Sequence, residues 1–252
     1  MEVMMGKNER IQKILAILDE KNVVMVNELQ QLCNVTEMTV RRDLTYLEKE
    51  HKAVRIHGGA KKIIHETFEQ LPHQERIHHH FEQKDLIAKK AASLIHQHDI
   101  LFIGASTTNE LIQQHLSATE ITVVTNCRYI FDQYANDDRY EVLLIGGKYN
   151  RKTESFLGNI TLQQAAMMNY HKALIGTNGI YKKNLCASND EEATLHKTIL
   201  EHSHEKYILC DSEKFGKNAF YSFFPCEDIT AIITDDGPIL DRQELETITQ
   251  IL

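Results

Sequence analysis

From residue 99 to residue 235 the chain repeats one pattern, a short apolar run followed by a polar stretch with helical spacing. The runs are "DILFIG" (99–104), "ITVVTN" (121–126), "EVLLIGG" (141–147), "KALIGTNGI" (172–180), "KYILCD" (206–211) and "ITAIITD" (229–235). Apolar runs of four to six residues are strands buried on both faces, and helices between them supply the cover. The pattern therefore predicts an open α/β sheet, parallel or mixed, with helices on both sides. Helices are expected at "TNELIQQHL", "CRYIFDQYA", "NITLQQAAMM", about 191–204 and "DRQELETITQIL". "KDLIAKKAASLI" (84–95) places Ile87, Ala91, Leu94 and Ile95 on one face and predicts another helix ahead of the first strand.

In open sheets of this kind, ligands sit beyond the carboxyl ends of the strands. Several of those ends carry suitable groups. Ser106, Thr107 and Thr108 leave the first run into a helix start, where hydroxyls, backbone N–H groups and the helix dipole make an anion site. Asn126 ends the second run, and Gly146-Gly147 ends the third, where backbone can approach a ligand closely. Asp211 and Lys214 follow the fifth run in "DSEKFG". Hydroxyls, an amide, a carboxylate and an ammonium together suit a phosphorylated polyol. The structural alternative reads "STT" as an N-cap, "GG" as a turn and "DSEK" as a capped loop.

The first sixty residues follow another rule. Ile11, Ile14, Leu15 and Leu18 make Lys7–Asp19 an amphipathic helix, and "VVMV" (23–26) reads as a short strand. Asn27, with Gln30 three residues on, is expected to cap a second helix over Glu28–Cys33 that packs Leu29 and Leu32. Thr36 caps a third helix running to about Glu48, which completes a helix-turn-helix outline. At 100° per residue Val40, Leu44 and Leu47 face inward. Met38, Arg42 and Thr45 then point outward, flanked by Thr39 and Arg41. Arginine pairs with guanine or phosphate, and threonine reaches phosphates and thymine methyls, so this face suits DNA. The plain alternative is a solvated helix surface with Asp43 and Glu48 as ion-pair partners. "AVRIHGG" then alternates Val54 and Ile56 against Arg55 and His57, and Gly58-Gly59 can turn the chain, which predicts a basic wing continued by Lys61-Lys62.

Charge supports two modules. Residues 1–62 hold 11 Lys+Arg against 9 Asp+Glu, and the remainder holds 17 against 27. A mildly basic head on an acidic body fits a polyanion-binding head carried by a second domain. The division expected is a DNA-binding domain over 1–62, a linker over 63–83 and an α/β sensing domain over 84–252.

"TEMTVRRDLTYLEKEHKAVRIHGGA" closely resembles the winged helix-turn-helix of DeoR-type bacterial transcription repressors, with a T-[IV]-R-R-D-L helix and an R-x-H-G-G-A wing. His51 stands where that family usually has glycine. "KDLIAKKAA", "GASTT", "TVVTN", "LLIGG", "ALIGTNGI", "DEEA" and "DSEKFG" are similar to the sensor domain of the same family, which is related to ribose-5-phosphate isomerase and coenzyme A transferase folds. The usual D-x-G-T-T becomes Gly104-Ala105-Ser106-Thr107-Thr108. The resemblance implies a homo-oligomeric cytoplasmic repressor of a sugar-utilisation operon. It implies DNA contacts at Thr36, Met38, Thr39, Arg41, Arg42, Thr45, Arg55 and His57. It also implies a phosphorylated sugar held by the Ser106–Thr108 loop, Asn126, Gly146, Gly147, Asp211 and Lys214, with Lys84 added. "ITVVTNC", "TESFLG" and "DSEKFGKNAFYSF" are most similar to repressors of lactose and galactose phosphotransferase operons, which implies tagatose 6-phosphate. The competing class is a sugar-phosphate isomerase or transferase with an accessory DNA-binding head.

Other chemistries find no support. The five cysteines, Cys33, Cys127, Cys186, Cys210 and Cys226, are widely spaced without a C-x-x-C pair, which argues for reduced thiols and against a zinc site. No run reaches the roughly 18 apolar residues of a membrane helix, and the N-terminus has no signal-peptide pattern. The dinucleotide fingerprint, the P-loop and the nucleophile elbow are absent, so no cofactor and no catalytic residue is expected. His78-His79-His80 is expected to bind no metal, because neighbouring residues on a helix diverge and no Cys or carboxylate cluster supports them.

Overall fold

The amphipathic stretch near the N-terminus forms α1 (Lys7–Lys21), and β1 (Val23–Met25) runs directly into α2 (Val26–Cys33). The computed structural model that shows this describes residues 6–21, 23–50, 52–56, 58–62 and 72–252. The chain divides into two units, Met1–Thr67 and Phe68–Leu252.

In the first unit, α2 starts at Val26 behind Met25, so Asn27 is not its cap. The Asn27 side chain instead accepts from the Glu28 N–H, one residue on. Leu32 is exposed and Cys33 is buried in its place, because the buried stripe runs i, i+3, i+7 through Val26, Leu29 and Cys33. Asn34 ends the helix in the left-handed region, its N–H reaching the Gln30 and Gln31 carbonyls. Thr36 does cap α3 (Glu37–Lys49), accepting from the Thr39 N–H at 3.4 Å. Val40, Leu44 and Leu47 join Ile11, Ile14, Leu18, Val24, Val26 and Leu29 in one core, with Leu15 only half-buried at its margin.

β2 (Ala53–Ile56) and β3 (Gly59–Lys62) form the wing hairpin, and β3 also pairs with β1 in a three-stranded antiparallel sheet. The two glycines have different tasks. Gly58 takes φ +77°, which turns the hairpin, whereas a Cβ on Gly59 would lie 2.3 Å from the Val24 carbonyl oxygen. The helix that carries the arginines is also tied to α1 from within. Asp43, expected on the surface, is 3% exposed and accepts from Arg10 at 2.5 and 3.2 Å.

The second unit opens with α4 (His73–Arg76) and α5 (Phe81–Ala92). β4 (Ile100–Ile103), β5 (Ile121–Thr125), α6 (Arg128–Tyr134) and β6 (Tyr140–Leu144) follow. A hairpin of β7 (Lys148–Asn150) and β8 (Ser155–Leu157) precedes α7 (Asn159–Ala166). Next come β9 (Tyr170–Gly176), β10 (Gly179–Tyr181), β11 (Asn184–Ala187), α8 (Asp190–Glu201) and β12 (Ser203–Leu209). β13 (Tyr221–Pro225), β14 (Ala231–Ile233), α9 (Arg242–Leu245) and β15 (Gln250–Ile251) complete it.

Seven strands make a parallel sheet in the order β15-β14-β12-β9-β4-β5-β6. Successive side chains of a strand point to opposite faces, and the strands divide accordingly. Phe102, Val124, Ala173, Ile175, Ile208 and Ile232 enter a core with α7 and α8, while Leu101, Ile103, Val123, Leu174, Leu209 and Ile233 enter another with α5 and α6. A small antiparallel sheet, β10-β11-β13, adds Ile180, Leu185 and Phe224 to the first.

Two helix expectations fail. "TNELIQQHL" folds as two short 3₁₀ turns, Asn109–Leu111 and Gln113–His115, because Asn109 turns inward and its amide donates to the Gly104 and Leu174 carbonyls at 2.8 and 2.9 Å. "DRQELETITQIL" yields only α9, since Gln250 and Ile251 pair with the β14 edge.

Candidate nucleic-acid interface and candidate anion site

On α3 the outward residues fall into two groups. Met38, Arg41, Arg42 and Thr45 are exposed, Thr39 is half-buried, and Thr36 spends its hydroxyl on the cap. Arg41 is held by Glu37, whose Oε1 accepts from Nε and Nη2 at 2.7 Å each. Thr45 Oγ1 and Arg55 Nη1 both donate to the Arg41 carbonyl, at 2.9 and 3.2 Å. Arg55 is thus docked on the α3 backbone and half-buried. Among the described residues, Arg42 makes no side-chain hydrogen bond or ion pair. His57 lies outside the described residues, as does His51.

The strand-end groups of the second unit meet at a switch in sheet order. β5 and β6 lie to one side of β4, whereas β9, β12, β14 and β15 lie to the other, so the crevice opens between the carboxyl ends of β4 and β9. The Gly104–Thr108 loop leaves β4 there. Ser106 packs against Gly176 at the end of β9, where a Cβ would sit 3.0 Å from the serine. Thr107 and Thr108 are buried, and the Thr108 N–H donates to Ser106 Oγ at 3.2 Å.

Beside this loop the fold gathers charges that are far apart in sequence. Lys84, on α5, is 6% exposed and donates to the Arg76 carbonyl. Burial pushes its ammonium down to about 8; Arg76 and Lys214 add to that shift, and Asp211 and Glu110 oppose it. Burial also lowers the Arg76 guanidinium, against Glu192 and Glu110, and its Nε has no hydrogen-bond partner among the described residues. Glu110 is raised by burial, but His73 holds both its oxygens at 2.8 and 3.0 Å while stacking on Tyr129. Asp211 accepts from the Glu213 N–H at 3.1 Å, and half-buried Lys214 has no side-chain partner among the described residues. Arg76, Lys84 and Lys214 therefore form a partly desolvated cationic group whose donors are incompletely matched. Such an arrangement is chemically suited to an anion.

The other candidates serve the scaffold. Asn126 accepts from the Ala105 N–H at 3.3 Å and donates to the Phe156 carbonyl at 3.1 Å, tying the Ser106 loop to β8. A Cβ on Gly147 would lie 2.1 Å from Thr161 Oγ1, and the Gly146 carbonyl accepts from Thr161 and Gln164. That glycine pair seats α7. Arg76, His73, Glu110 and Glu192 were missed in the sequence; the one signal was their basic or acidic character beside a predicted helix start.

The histidine run departs from the expected helix. His80 is not helical but left-handed at φ +53°, which brings Nε2 to 3.4 Å from Glu213, and His80, Asp211 and Glu213 offer ligand atoms within 4.8 Å of one another. Carboxylates do stand beside the run, supplied by a loop more than a hundred residues later. Lys84 and Lys214 act on Asp211 or its neighbours, and Lys217 pairs with Glu213 at 3.3 Å, so the local field favours anions over a cation.

Two family descriptions match this chain: "DeoR-like helix-turn-helix domain" over residues 10–66 and "DeoR C terminal sensor domain" over residues 79–236. A lactose phosphotransferase system repressor of Streptococcus mutans is 35% identical over 250 residues, spanning 98% of this chain and 100% of that protein. One from Staphylococcus aureus is 34% identical over 246 residues, spanning 97% of each. Among solved structures, ribose 5-phosphate isomerase A of Methanocaldococcus jannaschii is 14% identical, covers 53% of this chain and 54% of its own, and has a TM-score of 0.37.

Proposed function

The chain belongs to the DeoR family, and from that premise we propose that it represses a sugar-utilisation operon and answers to a phosphorylated sugar bound at the strand ends of its sensor domain. We divide the chain into a head over 1–62, a linker over 63–83 and a sensor over 84–252, with the linker's α4, which carries Arg76, packed as part of the sensor unit. The observation that carries the effector reading is the incompletely matched group of Arg76, Lys84 and Lys214 beside the Thr107-Thr108 loop. A phosphate offers three acceptor oxygens and a charge near −2 at neutral pH, which suits three donors in a half-desolvated crevice. Asp211 is suited to a sugar hydroxyl. Tagatose 6-phosphate is the effector to try first, since the full-length relatives are lactose-system repressors. We read the working form as a homo-oligomer, dimer or tetramer, because paired helix-turn-helix heads bind half-sites about one DNA turn apart. Such a repressor acts in the cytoplasm; among the described residues no helix is long and apolar enough to cross a membrane.

DNA binding is assigned to the exposed face of α3, with Arg42 the expected base reader because it lies on the outward stripe with Met38 and Thr45. Arg42→Ala is expected to weaken operator binding by about 1–3 kcal/mol and to relax the preference at one base pair. Anisotropy titrations against a selected operator and a random duplex check this. An unchanged operator-to-random ratio removes Arg42 from base reading.

Effector affinity should also depend on pH. Lys84 loses its proton near about 8 in the free protein, and a bound anion would hold that proton on. The folded value lies below the ordinary 10.5, so the change falls above neutrality. Phosphate itself has finished titrating by then, its second pKa being about 6. Affinity is expected to fall by up to roughly tenfold per pH unit above about 8. Calorimetry in two buffers of different ionisation enthalpy should then show proton uptake on binding at pH 8.5 and little at pH 7. Equal proton counts at both would exclude Lys84 from the site.

A further inference from the structure

Glu37 stands at the first position of α3 on the face proposed to meet DNA, where a carboxylate is repelled by phosphates. Its Oε1 accepts from Arg41 Nε and Nη2 at 2.7 Å, with the two side chains 54% and 51% exposed. An exposed i,i+4 pair of this kind contributes little to a helix. The helix start is already capped by Thr36. The helix dipole also favours an acid in this first turn, which is a modest stabilising reason for Glu37.

Geometry gives a better one. With its Nε/Nη2 edge occupied, the Arg41 guanidinium still presents the parallel donors of its Nη1/Nη2 end, which match guanine O6 and N7. At this flanking place, off the outward stripe that carries Arg42, a free arginine would swing to the nearest phosphate, the contact that carries no sequence information. Arg42, one residue on, has no such restraint. We infer that Glu37 is a positioning residue for sequence recognition: it holds Arg41 pointing at base edges and raises the energy of registers in which Arg41 pairs with phosphate. The inference rests on the reading that α3 enters the major groove.

The device acts mainly against the wrong DNA. Random duplexes are bound through phosphates, so the acid's charge and the restraint on Arg41 both count against them. On the operator the pair is already in its productive arrangement.

The test uses the full-length protein, an operator duplex selected from a random library, and a random duplex, titrated over a range of salt. If the wild type prefers no sequence, the DNA-binding reading itself fails. Given a preference, Glu37→Ala is expected to raise random-duplex affinity by roughly threefold to tenfold and to change operator affinity by less than about twofold, so the ratio falls. The salt slope on random DNA should steepen by roughly one, as one more phosphate is contacted. Glu37→Gln keeps an acceptor for Arg41 and should fall between wild type and alanine. In an Arg41→Ala background neither change should move the ratio further. Equal gains on both duplexes, identical for alanine and glutamine, are what mere loss of a negative charge predicts and would overturn the positioning role.

Discussion

Asp43→Ala is expected to destabilise the head by about 3–5 kcal/mol, because it takes from the buried Arg10 guanidinium the carboxylate that accepts two of its hydrogen bonds. Asp43 is 3% exposed and Arg10 9%. The carboxylate takes two hydrogen bonds from Arg10, and those bonds raise the guanidinium's pKa against the opposing effect of burial. The pair joins α1 to the middle of α3, so its loss frees the helix that displays Arg41 and Arg42 on the far side. Since folded domains are typically stable by only about 5–15 kcal/mol, operator binding should fall with the folded fraction of the head. Urea unfolding followed by circular dichroism should show an earlier transition for the head and an unchanged one for the sensor. Replacing both partners, as Arg10→Met with Asp43→Leu, should recover much of the loss, because two apolar side chains leave no stranded charge. A cost below about 1 kcal/mol for the single change would mean that the pair is solvated and dispensable.

Lys214→Ala is expected to weaken the effector by one to two orders of magnitude while leaving the fold and DNA binding alone. Charge-assisted hydrogen bonds contribute roughly 1.5–3 kcal/mol each. Lys214 is the clean test of the site for a structural reason. Its ammonium has no side-chain partner among the described residues, so its removal breaks no bond of the protein. Lys84, by contrast, holds the Arg76 carbonyl, and its replacement would disturb α4 as well. The expected phenotype is a repressor that binds its operator normally and is deaf to inducer. Calorimetric titration of tagatose 6-phosphate into wild type and variant decides the matter. Equal affinities would make Lys214 a surface lysine and move the anion elsewhere, and no heat with the wild type would point to a different sugar phosphate.

The α3 helix shows how far periodicity reaches. Its core stripe of Val40, Leu44 and Leu47 and its exposed Met38, Arg42 and Thr45 were all legible from a 3.6-residue repeat. So was Thr36 as its cap, since a capping bond spans three residues. Asp43 was placed only by the plain surface alternative, as a solvated ion-pair partner. It lies between Val40 and Leu47 on the inner side, but an acid there looks solvated until a cation from α1 is known to meet it. Asn109 failed in the same way. A helical spacing surrounds it, yet its amide bonds two strand ends, one of them 65 residues away, and the local helix gives way.

Strand composition and helix spacing, then, settled the class of the sensor and the existence of the winged head, because each depends on residues within one or two turns of one another. The sequence also placed Lys84, Thr107, Thr108, Asp211 and Lys214 near strand or helix ends. It could not show that they converge with Arg76 and Glu110, nor that Asn126 and Gly146-Gly147 are taken up by β8 and α7. Those outcomes follow from strand order. β9 lies against β4 rather than β6, and β12 follows beyond it, which carries residues 211–214 back beside residue 84. Strand order is set by which apolar faces bury best across crossovers of tens of residues, and no local period records it.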